Sequence, residues 1–422
     1  LPAPISDHAP CSSWQTPIQI VWLADPEARD EDIYQQNLRT AFEGTDGKPG
    51  SPESYLGPGL DLGIHVIAPK FRDLYKESKR DSILKKISGG ARITVYIIYL
   101  KEKSDDHDYP STQQFKESII GLPKEKDKNV EDRIITQIES PAIAYKETQK
   151  RQGTDTEVEP ALRPMVLAIE ALLTALASVK DSDSNNSCIS LFLSHAKLDG
   201  IGAATAVLSA INTIALNTDL NKFYDAYDIN SGDKWKKVLE DGVSNKESVL
   251  IAIRSNQYEH RFWCQQEIEW ALQNFRPIIV ADVRTQTTHP PSLIPLDIAG
   301  SYSLSDANAF RILYRAIASA LRIARHAEIA QYHFKELDSS QIIILPHHPD
   351  LITTQALIKK AEQWMNTNKK FLIIYPDPPM PAPALEVLKN IYIAPNPPVQ
   401  THERLDLSEH MTTFNRMFSH DI

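Results

Sequence analysis

The feature that most limits what this chain can fold into is an alternation of short, β-branched apolar runs with longer segments of helical period, played through twice. In the first half, IQIVWL (18–23), IHVIAP (64–69) and RITVYIIYL (92–100) are apolar almost throughout, as strands buried on both faces must be. A helical segment at 32–42, a Gly/Pro/Ser-rich loop at 44–63 and a charged amphipathic helix at 72–87 are expected between them. Residues 101–160 are polar, rich in Lys and Glu and weakly periodic, which suggests a long loop with short helical pieces. LRPMVLAIEALLTALASV (162–179) then reads as a closing apolar helix.

DSDSNNS (181–187) is a linker by composition, and the alternation resumes after it. CISLFLS (188–194), KFYDAYD (222–228), SVLIAIRS (248–255) and RPIIVADV (276–283) are expected strands. Expected helices lie at 201–216, at 234–243 with Trp235, Val238, Leu239 and Gly242 inward, and at 307–324. Strands separated by helices pair in parallel rather than as hairpins, so the fold class is α/β with a largely parallel sheet. Each half opens on a short hydrophobic strand and ends on a long apolar helix, the pattern of a degenerate tandem. From 328 the tail repeats the alternation at smaller scale, with strands and turns at 341–350 and 371–381, helices at 353–366 and 383–390, and a strand at 391–395. The expected organisation is an extension at 1–16, an α/β unit at 17–180, a second at 187–327, and a small Pro-rich α/β unit at 328–422.

With 42% hydrophobic and 24% charged residues in 422, each unit can bury a core. A net charge of −10 speaks against a general nucleic-acid binder or a protein of anionic membrane surfaces. Cys11, Cys188 and Cys264 are odd in number and far apart; neither a disulfide framework nor a Cys-rich metal site follows, and a reducing cytoplasm is the natural compartment. No run is long and apolar enough for a membrane span, and LPAPISDHAPCSSW at the start lacks the basic-then-apolar pattern of a secretion signal. Adjacent His347 and His348 in HHPD (347–350) point apart on an extended loop, so a turn or contact surface is expected there and no metal.

One stretch carries chemistry. Read as a single helix, YEHRFWCQQEIEWAL (258–272) sets Cys264, Ile268, Ala271, Leu272 and, just beyond, Phe275 along an apolar stripe. Cys264, on that stripe, is core rather than nucleophile. Trp263 and Glu267 stand one turn apart beside the stripe. An aromatic plane with a carboxylate one turn away can hold a flat cationic ring and the sugar attached to it. The plainer alternative is a half-buried Trp next to a solvated Glu.

Three blocks decide between them: SLFLSHAKLDG (190–200), FYDAYDINSGDKW (223–235) and SVLIAIRSNQYEHRFWCQQEIEWAL (248–272). In that order and spacing they resemble a TIR (Toll/interleukin-1 receptor/resistance) domain, over about a third of the chain. The resemblance implies a flavodoxin-like TIR domain with a parallel sheet, preceded by a degenerate TIR-like α/β domain and followed by a small α/β domain. Some TIR domains are scaffolds; others cleave NAD+ between nicotinamide and ribose, and these are similar in carrying a carboxylate at Glu267 and an aromatic at Trp263. Nicotinamide is a cationic leaving group, and its departure leaves an oxocarbenium-like ribose that a carboxylate can stabilise.

The resemblance thus implies Glu267 as catalytic residue, with Trp263, Ser194, His195, Phe223 and Tyr224 binding substrate. It implies a loop at Asp228, Asn230, Gly232 and Asp233 that makes head-to-tail contacts between copies. NAD+ enters as substrate and no cofactor is expected; the products are nicotinamide and ADP-ribose or a cyclic isomer. The implied role is an effector or signal producer in bacterial anti-phage defence, activated by self-association, with a partner protein or a nucleotide as trigger. The first unit has no counterpart of the Trp/Glu pair, Tyr75 and Glu77 being its nearest substitutes at the wrong spacing, so it is expected to be catalytically silent. A non-enzymatic scaffold, and a nucleotide sensor using the HHPD and PDPPMP turns, are the alternatives. Motifs of P-loop ATPases, dinucleotide dehydrogenases, zinc proteases and lipases are absent.

Overall fold

The computed structural model describes residues 18–24, 31–43, 64–67, 93–101, 131–139, 163–180, 189–215, 220–224, 235–285, 293–294, 306–365, 371–376, 379–389, 391–393, 403–405 and 411–413. The segments expected at 1–16, 44–63 and 72–87, including Tyr75 and Glu77, lie outside them.

The first sheet contains β1 (Ile18–Ala24), β2 (Ile64–Ile67), β3 (Ile93–Lys101) and β4 (Glu131–Glu139) in the order β2-β1-β3-β4, all parallel. Helices α1 (Glu31–Glu43) and α2 (Arg163–Val179) cover it. Strand β4 corrects the expectation of a loop over 101–160. EDRIITQIE lacks a continuous apolar run because it is the edge strand, paired only with β3, and its charged ends disguise it in the sequence.

The second sheet contains β5 (Ile189–His195), β6 (Leu220–Tyr224), β7 (Ser248–Arg254) and β8 (Ile278–Asp282), again parallel and again in the order second-first-third-fourth, β6-β5-β7-β8. This is the flavodoxin-like strand order, and its repetition makes the first unit a degenerate copy of the second in topology. Helix α3 (Ile201–Ala215) follows β5, α4 (Trp235–Ser244) follows β6 and α5 (Phe262–Gln273) follows β7. The pleat sorts β5 between two cores: Leu191 and Leu193 face one, and Phe192 faces the other, under α5.

Helix α6 (Asp306–His333) corrects the boundary expected between 327 and 328, which falls inside it. The helix continues because Ile329 and Ala330 carry its apolar face into the core of the third unit, against Ile344, Leu372 and Ile374. That unit holds β9 (Ile342–Ile344), α7 (Leu351–Met365), β10 (Leu372–Tyr375), α8 (Ala382–Lys389), a β11 (Ile391–Ile393)/β12 (Glu403–Leu405) hairpin and β13 (Met411–Thr413). Its sheet is parallel in the order β13-β10-β9. The last two strands are only three residues long, too short to show a period in the sequence.

The first two units share one core. Helix α2 is apolar on nearly every face, as a helix buried all round must be: it packs on β3 and β4 of its own sheet and on α6 and α3 of the next unit. Tyr314 of α6 is fully buried against Phe42 of α1, ring centroids 5.7 Å apart, and its hydroxyl donates to the Ala41 carbonyl at 3.0 Å. Lys180, just past α2, pairs with Glu247 at the entry to β7. Among the described residues no helix is long and apolar enough to cross a membrane.

Replacing Tyr314 by Phe keeps the packing and deletes the hydroxyl between α6 and α1. A loss of about 1 kcal/mol in unfolding free energy is expected, measured by chemical denaturation of the full chain. Tyr314→Ala is expected to cost about 3–5 kcal/mol.

Candidate functional site at the carboxyl edge of the second sheet

In a parallel α/β sheet the loops after the strands converge at the carboxyl edge, where ligands bind. After β5 the chain turns tightly through Ala196–Gly200, with Gly200 N donating to the Ala196 carbonyl at 2.8 Å. A Cβ on Gly200 would stand 2.9 Å from that carbonyl oxygen and 3.3 Å from the His195 Cβ. Only glycine allows this approach, which seats the turn on the strand end. Asp199 in the turn then reaches the loop after β7. Its Oδ1 accepts from Ser255 Oγ at 2.6 Å and its Oδ2 from the Gln257 amide at 3.1 Å. The two strand ends flanking the site are thus clamped by one carboxylate.

The stretch from Tyr258 is not one helix, which corrects the expectation. Tyr258–His260 form a 3₁₀ turn, Arg261 is extended at φ −97° and ψ 113°, and α5 starts at Phe262. The break allows Tyr258 to bury completely instead of following the helix period. Its hydroxyl hydrogen-bonds Ser194 Oγ at 2.6 Å. Burial pushes the Tyr258 phenol well above its ordinary value; the nearby Cys264 thiol and Glu267 carboxylate add to this, and the Ser194 bond offsets only part. The phenol therefore stays neutral beneath the site.

At its other end α5 closes in a Schellman motif: the Arg276 amide donates to Ala271 at 2.8 Å and the Phe275 amide to Leu272 at 3.2 Å. Phe275 takes the left-handed position at φ 57°. It therefore leaves the helical stripe on which the periodicity placed it, and its ring goes into the core of the third unit. Cys264, Ile268, Ala271 and Leu272 do lie in the core against the sheet.

A cavity of about 690 Å³ opens at this edge, lined by His195, Lys197, Leu198, Trp235, Arg261, Trp263 and Glu267 together with Ala196, Leu239 and Cys264. The volume suits a ligand of cofactor size. Glu267 is 7% exposed, so it is not the solvated charge of the plainer reading. Three of the expected residues, Glu267, Trp263 and His195, come together here. Ser194 does not line the cavity; it points into the layer under α5 and spends its hydroxyl on Tyr258. Phe223 and Tyr224 lie on β6, paired with Phe192 and Leu193, and their side chains are outside the described residues, as are Asp228, Asn230, Gly232 and Asp233.

Trp235, Lys197, Leu198 and Arg261 were not singled out from the sequence. Trp235 was expected to point inward on its helix, but it is the first residue of α4, stands at the sheet edge and is 44% exposed. Its ring meets Trp263 at a centroid distance of 4.1 Å and an angle of 67°. The signal that could have found it is its place directly after the Gly232-Asp233 loop, at the end of a strand–loop–helix passage. Lys197 and Arg261 bring positive charge to a cavity whose only carboxylate among the described lining residues is Glu267.

A second electrostatic cluster lies at the ends of β7 and β8. Arg254 pairs with Glu259, and Arg284 with Asp282, whose carboxylate is also 3.9 Å from Arg254. Burial alone would raise Asp282, but the hydrogen bonds and charge of Arg284, with Arg254 behind, bring its carboxyl below the ordinary value. In the third unit, His347 Nδ1 lies 2.7 Å from the His348 carbonyl and His348 Nε2 lies 2.9 Å from that of Pro376, so both rings are engaged with backbone.

Residues 191–314 match the model of the TIR domain family, so the middle of the chain carries a TIR domain. Neither the curated proteins nor the solved structures gave a match.

Two outcomes follow from this geometry. Asp199→Ala removes both bonds of the clamp and is expected to cost about 1–3 kcal/mol of stability, read by denaturation. For Asp282, a carboxyl held low stabilises the fold above its unfolded value of 3.8, and the gain is lost as pH falls through the folded value. The stability gap between wild type and Arg284→Met is therefore expected to be full near neutrality and to shrink below about pH 4, as matched denaturation series would show.

Proposed function

We propose that the TIR domain is an NAD+ nucleosidase, cleaving the bond between nicotinamide and ribose. One observation carries the reading: a buried carboxylate, an aromatic wall and a cationic rim line the same cavity. The aromatic wall of Trp263 and Trp235 receives the flat pyridinium. Lys197 and Arg261 suit the diphosphate. Glu267 faces the ribose and takes hydrogen bonds from its hydroxyls. As the C–N bond breaks, nicotinamide leaves with the electron pair and becomes neutral, and positive charge moves to the ribose ring. The fixed, largely buried carboxylate stabilises that charge. Attack by water gives ADP-ribose and releases a proton; attack by a nitrogen of the same molecule's adenine gives a cyclic isomer. NAD+ is consumed as substrate, and no cofactor enters.

Substrate position and oxocarbenium charge both depend on Glu267, while His195, at the end of β5, lines the same cavity. In this reading the protein is an effector or signal producer of bacterial defence against phage, working in the cytoplasm and switched on when TIR domains associate through the loop containing Asp228, Asn230, Gly232 and Asp233. A partner protein or a nucleotide supplies the trigger.

The test is release of nicotinamide from NAD+ by the purified full chain, at concentrations that permit self-association. Glu267→Gln is expected to lower turnover by at least about 10²-fold, with an unfolding midpoint within about 2 °C of wild type. Turnover in Glu267→Gln equal to wild type would sink the assignment. Absence of turnover in wild type, together with no loss of NAD+ in cells expressing it, would favour a scaffold.

A further inference from the structure

The two tryptophans at the cavity are not equivalent. Trp263, on α5, is partly buried against the core under that helix and has aromatic rings around it: Trp235 at 4.1 Å and 67°, Phe262 at 5.0 Å and 84°, and Trp270 at 6.5 Å and 42°. Part of its surface is taken by these neighbours, and it is less exposed than Trp235. A planar cation needs a ring face it can lie on, with its centre within about 6 Å of the ring centroid. Trp235 offers that face. It is 44% exposed, lines the same cavity, and is braced from behind by the Trp263 ring. Two indoles in contact at 67° leave no slot between them for a third ring; they form a corner, and a flat ligand stacks on the outer wall of that corner.

The surroundings point the same way. Leu198 and Phe262, 69% and 67% exposed, stand near this corner, Leu198 on the cavity lining and Phe262 against Trp263. Leu198 and Trp235 thus give apolar surface to a cavity that also holds the Glu267 carboxylate, an arrangement that shields a ring while leaving the attached sugar to the polar group.

We propose that Trp235, rather than the Trp263 of the Trp/Glu pair, is the platform on which the substrate's nicotinamide ring stacks, with Trp263 as its rigid backing. This rests on the NAD+ reading above and assigns the binding contact within it to a different element, α4 instead of α5. A stacking platform acts mainly before the chemical step, so its loss falls on substrate binding.

The experiment compares Trp235→Leu, which keeps apolar bulk without a π face, and Trp235→Tyr, which keeps a smaller face, in the full chain. Nicotinamide release is expected to show KM raised about tenfold in Trp235→Leu with kcat changed less than about threefold, and Trp235→Tyr lying between it and wild type. Binding of intact NAD+ by a Glu267→Gln chain, read by calorimetry, is expected to weaken by the same factor when Trp235→Leu is added. Circular dichroism and the unfolding midpoint report whether each variant is folded; if Trp235→Leu is not, the Trp235→Tyr KM decides. A wild type that turns over NAD+ while a folded Trp235→Leu keeps its KM within about twofold overturns this assignment and leaves the nucleosidase reading standing. A wild type that neither binds nor cleaves NAD+ ends both, and the failure then belongs to the reading itself.

Discussion

The fixing of α5 at both of its ends is the constraint on which the site depends. A carboxylate projecting from a helix keeps its place to within a fraction of an ångström only if the helix can neither slide nor roll. At the N-terminal end the extended Arg261 and the buried Tyr258 prevent sliding, since Tyr258 is tied to Ser194 of β5. At the C-terminal end Phe275 holds a left-handed conformation that costs a non-glycine residue roughly 1–2 kcal/mol, offset by burial of its ring in the core of the third unit. Between these ends Cys264, Ile268, Ala271 and Leu272 press the helix onto β5 and β7, which sets its roll. Glu267 emerges from this arrangement already buried and pointed into the cavity.

Desolvating a carboxylate is costly, and a protein retains one in such a place only with compensation nearby. Lys197 and Arg261 stand at the same cavity, and the phenol beneath it is held neutral. The surface charge tells nothing of this: a chain of net charge −10 places two cations around its most buried cavity carboxylate. Overall charge governs solubility and long-range attraction, whereas the sign of the potential inside a cleft is set by a few residues within a Debye length.

How far the sequence could be read follows from the same physics. Both parallel sheets were legible because their strands are buried on two faces and read as continuous apolar runs, as in ISLFLSH and SVLIAIR. Strand β4, an edge with charged ends, was not, and neither were the three-residue strands near the C-terminus. Glu267 and Trp263 were legible because helical spacing puts them one turn apart. Tyr258 and Phe275 were misplaced because periodicity assumes an unbroken helix, and the breaks at Arg261 and Asn274 come from tertiary demands, a ring going into each adjoining core. Trp235 was read as core for a related reason. Hydrophobicity argues for burial, and the argument fails where an aromatic at a helix start faces the carboxyl edge of a sheet.

The shared architecture of the first two units bears on what each can do. Among the described residues both have four parallel strands in the same order, yet their helices are used differently. In the second unit α5 presents a polar edge to a cavity. In the first, α2 gives nearly every face to packing, on its own sheet and on α6, leaving Glu170, Thr174 and Ala177 partly exposed, and Tyr314 ties α6 to α1. A helix so nearly buried has little face left to line a ligand site. The first unit thus contributes through α2 by holding α6, and α6 runs on to carry the third unit, which in turn holds Phe275 at the end of α5. Mechanical continuity therefore runs from the first sheet to the carboxylate by way of α6, and the third unit meets α5 both along its length, where Ile352 of α7 packs on the core that holds Cys264 and Ile268, and just past its end, at Phe275.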